Sequence, residues 1–163
     1  LNQFIMFVRD GSDEKTEAGD LNEVIVEVVS QFESDGAVLR IDLHPVPPIL
    51  LKRLSLKRMF ANLIGNAIRH GGGEVDVSCV MADSEIRVIV ADRGPGLAEQ
   101  DLHELFQPFA RGDQSRSTKG SGLGLAIVHS TVQRHGGELR VETAPGRGST
   151  FIIVLPETAS DAK

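Results

Sequence analysis

The chain has 163 residues, 40% of them hydrophobic and 25% charged, which suits one domain able to bury a real core. A net charge of -6 and a pI near 5.3 exclude the basic balance usual in nucleic-acid binding. One cysteine excludes a disulfide framework, and no apolar run approaches the roughly 20 residues that span a bilayer.

Taken in chain order, residues 1–9 (LNQFIMFVR) read as the last turns of a helix that starts upstream, so the chain is expected to be a fragment of something longer. Residues 10–19 read as a polar linker, and a domain over 20–157 with a short tail at 158–163 follows. Asp20 and Glu23 form a capping-box pattern ahead of a helical stripe of Leu21, Val24, Ile25, Val28, Val29 and Phe32. Residues 37–43 alternate as a strand, HPVPP makes a stiff connection, and 49–52 suit a short edge strand.

The stretch 56–71 (LKRMFANLIGNAIRHG) carries the strongest signal. Leu56, Met59, Phe60, Leu63, Ile64, Ala67 and Ile68 recur at helical spacing, with Ser55 available as an N-cap. Asn62, Asn66 and Arg69 fall together on another face, since residues three and four apart stack along a helix. Magnesium takes hard oxygen ligands, so a neutral amide oxygen can complete its octahedron beside phosphates. Asparagines on a polar helix face are equally well explained as solvated amides.

Residues 74–81 and 85–92 read as a hairpin, with Cys79 alternating among Val75, Val77 and Met81 as strand core. Asp92 shares the parity of Ile86, Val88 and Val90, so its carboxylate is expected on the apolar, helix-covered face. A buried carboxylate needs a donor. The exocyclic amine of adenine supplies one and guanine does not, with Gly94 and Gly96 permitting a sharp turn and close approach of a ring. Asp-x-Gly is also an ordinary turn.

From about 93 to 121 the pattern breaks into a long, lid-like segment that ends in KGSGLGLAIV and a helix over about 123–135. Glycines running into a helix offer free amides for phosphates, and Arg69, Arg111, Arg116 and Lys119 supply local positive charge. No strand precedes these glycines, which disfavours a dinucleotide fold, and no GxxxxGK[ST] sequence occurs. A last hairpin pairs 138–143 with 149–155 across APGRG. The elements together predict an α/β fold, a two-layer sandwich whose mixed, mostly antiparallel sheet is covered by helices on one face.

Over residues 21–156 these segments resemble the GHKL family of ATP-binding domains (the Bergerat fold), and within it the catalytic domains of sensor histidine kinases of the EnvZ type. NLIGNAIRHG resembles the N box, DRGPG the first glycine box, LFQPFARGD the F box, GSGLGLAI the second glycine box and GRGSTF the last. The resemblance implies that ATP and Mg2+ bind. Asn66 then holds Mg, Asp92 reads adenine beside Gly94 and Gly96, and His70 lies against the ring. Arg111 and Gly112 with Ser121, Gly122, Leu123, Gly124 and Leu125 contact phosphates, near Arg69, Lys119 and Gly120. Phe106 and Phe109 anchor the lid base, and 112–120 are expected to order with nucleotide.

ATPase and serine-directed branches of that family carry a glutamate four residues before the Mg asparagine. Here Asn62 stands there. Attack by water or a hydroxyl benefits from a general base, whereas a neutral imidazole already has a lone pair. With the resemblance, this implies a catalytic set of Asn62, Asn66 and Arg111, acting on a histidine. None of His44, His70, His103, His129 or His135 sits in an H-E-x-R-T-P context, so the acceptor is expected on a separate helical hairpin. His135 reads as a cationic helix end, with His103 and His129 on helix surfaces. The expected partners are that hairpin and a response-regulator receiver domain, without nucleic acid. The parent is expected to be a homodimeric, inner-membrane-anchored bacterial sensor, and this piece its monomeric cytoplasmic domain. A degenerate regulatory nucleotide-binding module and a GHKL ATPase remain as alternatives.

Overall fold

The computed structural model describes residues 14–71, 73–96 and 124–157. Chain order is β1 (Glu17–Gly19), α1 (Leu21–Ser34), β2 (Leu39–Leu43), β3 (Ile49–Leu51), α2 (Arg53–His70), β4 (Val75–Ala82), β5 (Glu85–Asp92), α3 (Gly124–Arg134), β6 (Glu138–Thr143) and β7 (Ser149–Pro156). The main sheet runs β2-β4-β5-β7-β6, with β2 parallel to β4 and the remaining pairs antiparallel. β1 pairs with β3 as a separate antiparallel ribbon. The expected mixed, mostly antiparallel sheet is therefore present. The expected linker at 10–19 is corrected at its end, where Glu17–Gly19 is a strand held by Ile49–Leu51.

The apolar stripes do what their spacing implies. Leu21, Val24, Ile25, Val28 and Val29 of α1 are buried, as are Leu56, Met59, Phe60, Leu63, Ile64 and Ala67 of α2. They share one core with Val75, Val77, Cys79, Ile86, Val88 and Val90, which project from one sheet face. The alternate positions of β4 and β5 are only half-buried, so helices cover a single face. Burial pushes the Cys79 thiol up to about 12, leaving it a small core residue.

Turns and caps follow local chemistry. Asp20 caps α1 by accepting from the Asn22 amide at 2.9 Å, one residue short of the Glu23 amide that a capping box would use. α1 closes in a Schellman motif, with Ala37 donating to the Phe32 carbonyl and Gly36 to that of Glu33. Asp83 and Ser84 both have positive φ, 54° and 64°, the hand that a two-residue hairpin turn demands. The helix expected from 56 starts earlier, at Arg53, and Ser55 is not its N-cap: it is buried inside the first turn.

His135 also differs from expectation. It is buried, and its Nδ1 donates to the Thr131 carbonyl at 2.9 Å while Nε2 accepts from the Lys52 amide at 3.0 Å. A second proton would leave two donors facing each other, so this is a neutral imidazole joining α3 to the start of α2. Burial lowers its pKa below the ordinary 6.5, against the hydrogen bond to Thr131, which raises it. The unfolded chain therefore takes up the proton first, and stability present above about pH 6.5 is lost as pH falls toward the folded-state value. The expected outcome is a urea midpoint that drops for wild type between about pH 7.5 and about pH 5.5. His135→Gln should be less stable by about 1–3 kcal/mol at the higher pH and show a smaller drop. Parallel pH dependences for the two proteins would refute the assignment.

Candidate nucleotide site

The polar face of α2 assembles as its spacing predicts. Asn62 and Asn66 are half-buried and Arg69 and His70 are exposed at the helix end. Arg69 donates to Asn66 Oδ1 at 2.6 Å, and Asn62 Nδ2 donates back to the Arg58 carbonyl at 3.0 Å. The asparagine oxygen nearest the helix end thus already faces a cation.

At that end α2 meets β5. The Arg93 amide donates to the Gly71 carbonyl at 3.1 Å, and a Cβ on Gly71 would stand 2.5 Å from Asp92 Cβ. Asp92 lies opposite Val75 and Ser149, on the face of Val90 and Phe151, as its parity implied. Its carboxylate is half-buried rather than buried, and its donors come from the fold itself. Oδ1 accepts from the Gly94 amide at 3.0 Å and the Ser149 amide at 3.2 Å. Among the described residues Oδ2 makes no hydrogen bond. The turn and the ligand reading are thus compatible, since Oδ1 alone accepts both backbone amides.

The close approach expected at Gly94 and Gly96 is to backbone. A Cβ on Gly94 would lie 2.2 Å from the His70 carbonyl oxygen, and one on Gly96 2.0 Å from that of Ala144. The turn between β6 and β7 therefore forms a wall of the same region. Gly148, at φ +78°, would place a Cβ 2.2 Å from the Asp92 carbonyl oxygen. Thr143 Oγ1 donates to the Gly148 carbonyl at 3.0 Å and lies 2.8 Å from Ser149 Oγ. Gly71, Thr143, Gly148 and Ser149 were not among the expected site residues. The GRGSTF motif pointed at two of them, but the pairing of Thr143 with Ser149 needed the sheet register.

Outside the carboxylate, Arg93 forms ion pairs with Glu74 and Asp76, and Arg40 reaches Asp76 at 2.9 Å. These exposed pairs tie the loop after β5 to β4 and β2, each worth little alone. Leu125 is buried in the core, so only its backbone is available to a phosphate. Arg111, Gly112, Arg116, Lys119, Gly120, Ser121, Gly122 and Leu123, with His103, Phe106 and Phe109, lie outside the described residues.

The fold and the two converging motifs agree with the sequence comparison. Residues 52–159 match the family described as histidine kinase-, DNA gyrase B-, and HSP90-like ATPase. The chain belongs to this family. Within the histidine kinase-, gyrase B- and HSP90-like ATPases it resembles sensor kinases. The kinase AfsQ2 of Streptomyces coelicolor is 45% identical over 112 residues, 66% of this chain and 21% of that protein. The sensor histidine kinase component HK1 of Mycobacterium tuberculosis is 34% identical over 83% of this chain and 81% of its own length. The solved histidine kinase domain of the Escherichia coli osmosensor EnvZ superposes with a TM-score of 0.69 at 36% identity, covering 88% of this chain and 90% of that one. The chain is thus an ATP-binding domain of the sensor-kinase type, and it spans about a fifth of AfsQ2.

Two substitutions probe the site. Asp92→Asn replaces an acceptor-only group and should weaken adenine-nucleotide binding about 10- to 100-fold by calorimetry, with little effect on fold. Gly148→Ala forces a Cβ against the Asp92 carbonyl at an unfavourable φ and should lower the denaturation midpoint, by about 1–3 kcal/mol. Unchanged binding in the first or unchanged stability in the second would contradict this geometry.

Proposed function

We propose that this chain binds Mg-ATP and transfers the γ-phosphoryl group to a histidine on a separate helical hairpin, for relay to a response-regulator receiver domain. The observation that carries the reading is the amide at Asn62, four residues before Asn66, with its Nδ2 committed to the Arg58 carbonyl. No carboxylate stands there to deprotonate water or a hydroxyl. A neutral imidazole needs none: its lone pair attacks phosphorus, the bond to the ADP oxygen breaks, and the ring proton on the other nitrogen passes to solvent. Catalysis is then mainly positioning and charge stabilisation.

The donor chemistry suits magnesium. Asn66 Oδ1 is a hard, neutral oxygen with two lone pairs, one of them used by Arg69. In this reading Asn66 holds the ion, which neutralises phosphate charge when bound. Arg69 and, from the glycine-rich segment, Arg111 and Lys119 supply positive charge to the phosphates. Asp92 Oδ2 accepts from the adenine amine, and His70 lies beside the ring.

In this reading the hairpin belongs to the same parent kinase, and the parent is a homodimer anchored at a membrane with this domain in the cytoplasm. Among the described residues no helix is long and apolar enough to cross a membrane.

Titration with Mg and a non-hydrolysable ATP analogue, with GTP as control, tests the first step. Saturable, adenine-selective binding is expected, weakened by Asn66→Ala only when Mg is present. With labelled ATP the chain alone should gain no acid-labile label, while an added histidine hairpin should. Absence of binding by the folded chain, or acid-labile label on the chain itself, would sink the proposal.

A further inference from the structure

α2 starts without a cap of its own. Lys52 stands at the N-cap position with no side-chain capping bond, and the first turn has no acidic residue. A helix start presents unpaired amides and positive potential, to which Lys52 and Arg53 add their charges. Both demands are met from outside the helix. The carboxylate of Glu14, three residues before β1, accepts from the amides of Leu54 and Ser55, the latter at 2.9 Å, and from the Ser55 hydroxyl at 2.7 Å. Its carbonyl accepts from Lys52 Nζ at 2.8 Å, and the Lys52 amide goes to His135. Strand β1 then pairs with β3, immediately ahead of α2.

We propose that Glu14 is a positioning residue for the nucleotide site, setting through α2 where Asn66 stands relative to Asp92. The inference rests on the nucleotide-binding reading above. Apolar packing holds α2 against the sheet but is weakly directional, whereas three hydrogen bonds to one carboxylate fix the helix along its axis and about it. A helix is stiff, so axial placement at Ser55 is passed to Asn66 and to Gly71. There the margin is small, because a Cβ on Gly71 would already stand 2.5 Å from Asp92 Cβ. Coupling of this kind is reciprocal: if the Glu14 contact favours the binding geometry, bound nucleotide must strengthen the Glu14 contact.

The test compares wild type with Glu14→Ala, Glu14→Gln and Ser55→Ala, each confirmed folded by circular dichroism. Each is titrated with Mg and a non-hydrolysable ATP analogue. Glu14→Ala is expected to weaken Kd about fivefold. Ser55→Ala, which removes one contact of three, should have a smaller effect, and wild-type amide exchange at Leu54 and Ser55 should slow on saturation. A cap that only stabilised the fold would leave Kd and that exchange response unchanged. Equal Kd values in the folded variants overturn the positioning role and leave nucleotide binding standing; no binding by wild type removes both. Should Glu14→Ala fail to fold, Glu14→Gln and Ser55→Ala decide.

Discussion

Three stretches of backbone converge around Asp92 with no space for a single added methyl group. Added Cβ atoms on Gly71, Gly94 and Gly148 would fall within 2.5 Å of Asp92 or of its neighbour His70. That convergence locks the end of α2, the end of β5 and the turn between β6 and β7 into one rigid corner. The orientation of the carboxylate consequently comes from backbone amides rather than from neighbouring side chains. Backbone amides cannot be mutated away, so a site built on them depends on glycines being kept more than on any surrounding polar residue.

The rest of the fold serves to deliver those ends. α2 crosses the sheet with its apolar stripe down and its asparagines on a half-exposed face, so the same helix is a core element and carries half of the proposed site. Its start is held by Glu14 and His135, its end by Gly71 and Arg93. Neutral His135 fits this scheme because it must accept from an amide, which a cation cannot do. The helix is therefore fastened at both tips by directional polar contacts and along its length by apolar packing.

Periodicity made most of this legible. The stripes of α1 and α2, the two hairpins and the parity of Asp92 could be read because burial on one face leaves a local repeat in the sequence. β1 could not, since three residues (Glu17–Gly19) carry no repeat and their partner lies some thirty positions on. Ser55 looked like a cap because hydroxyls are good caps, yet a carboxylate from a distant stretch took the amides. His135 looked cationic because helix ends favour cations, and burial against Lys52 reversed it. In each case the missing information was a contact between segments far apart in the chain. Family resemblance supplied roles for Asn66 and Asp92 that spacing alone left open, and the identity of residue 62 then separated branches of the family by chemistry.

The parallel pairing of β2 with β4 has a kinetic consequence. Residues 44–74, α2 included, form the crossover that must close before this pair can align. Contacts that span such loops form slowly, because chain entropy is lost before the pairing gives anything back. A phosphate loop made of one contiguous stretch could take shape early in folding. Here Asn66 lies inside the crossover, Asp92 beyond it and Ser149 more than fifty residues further on, so the corner is completed only when all three segments have met. On the proposed reading of the site, nucleotide binding is then a late acquisition of the folding chain.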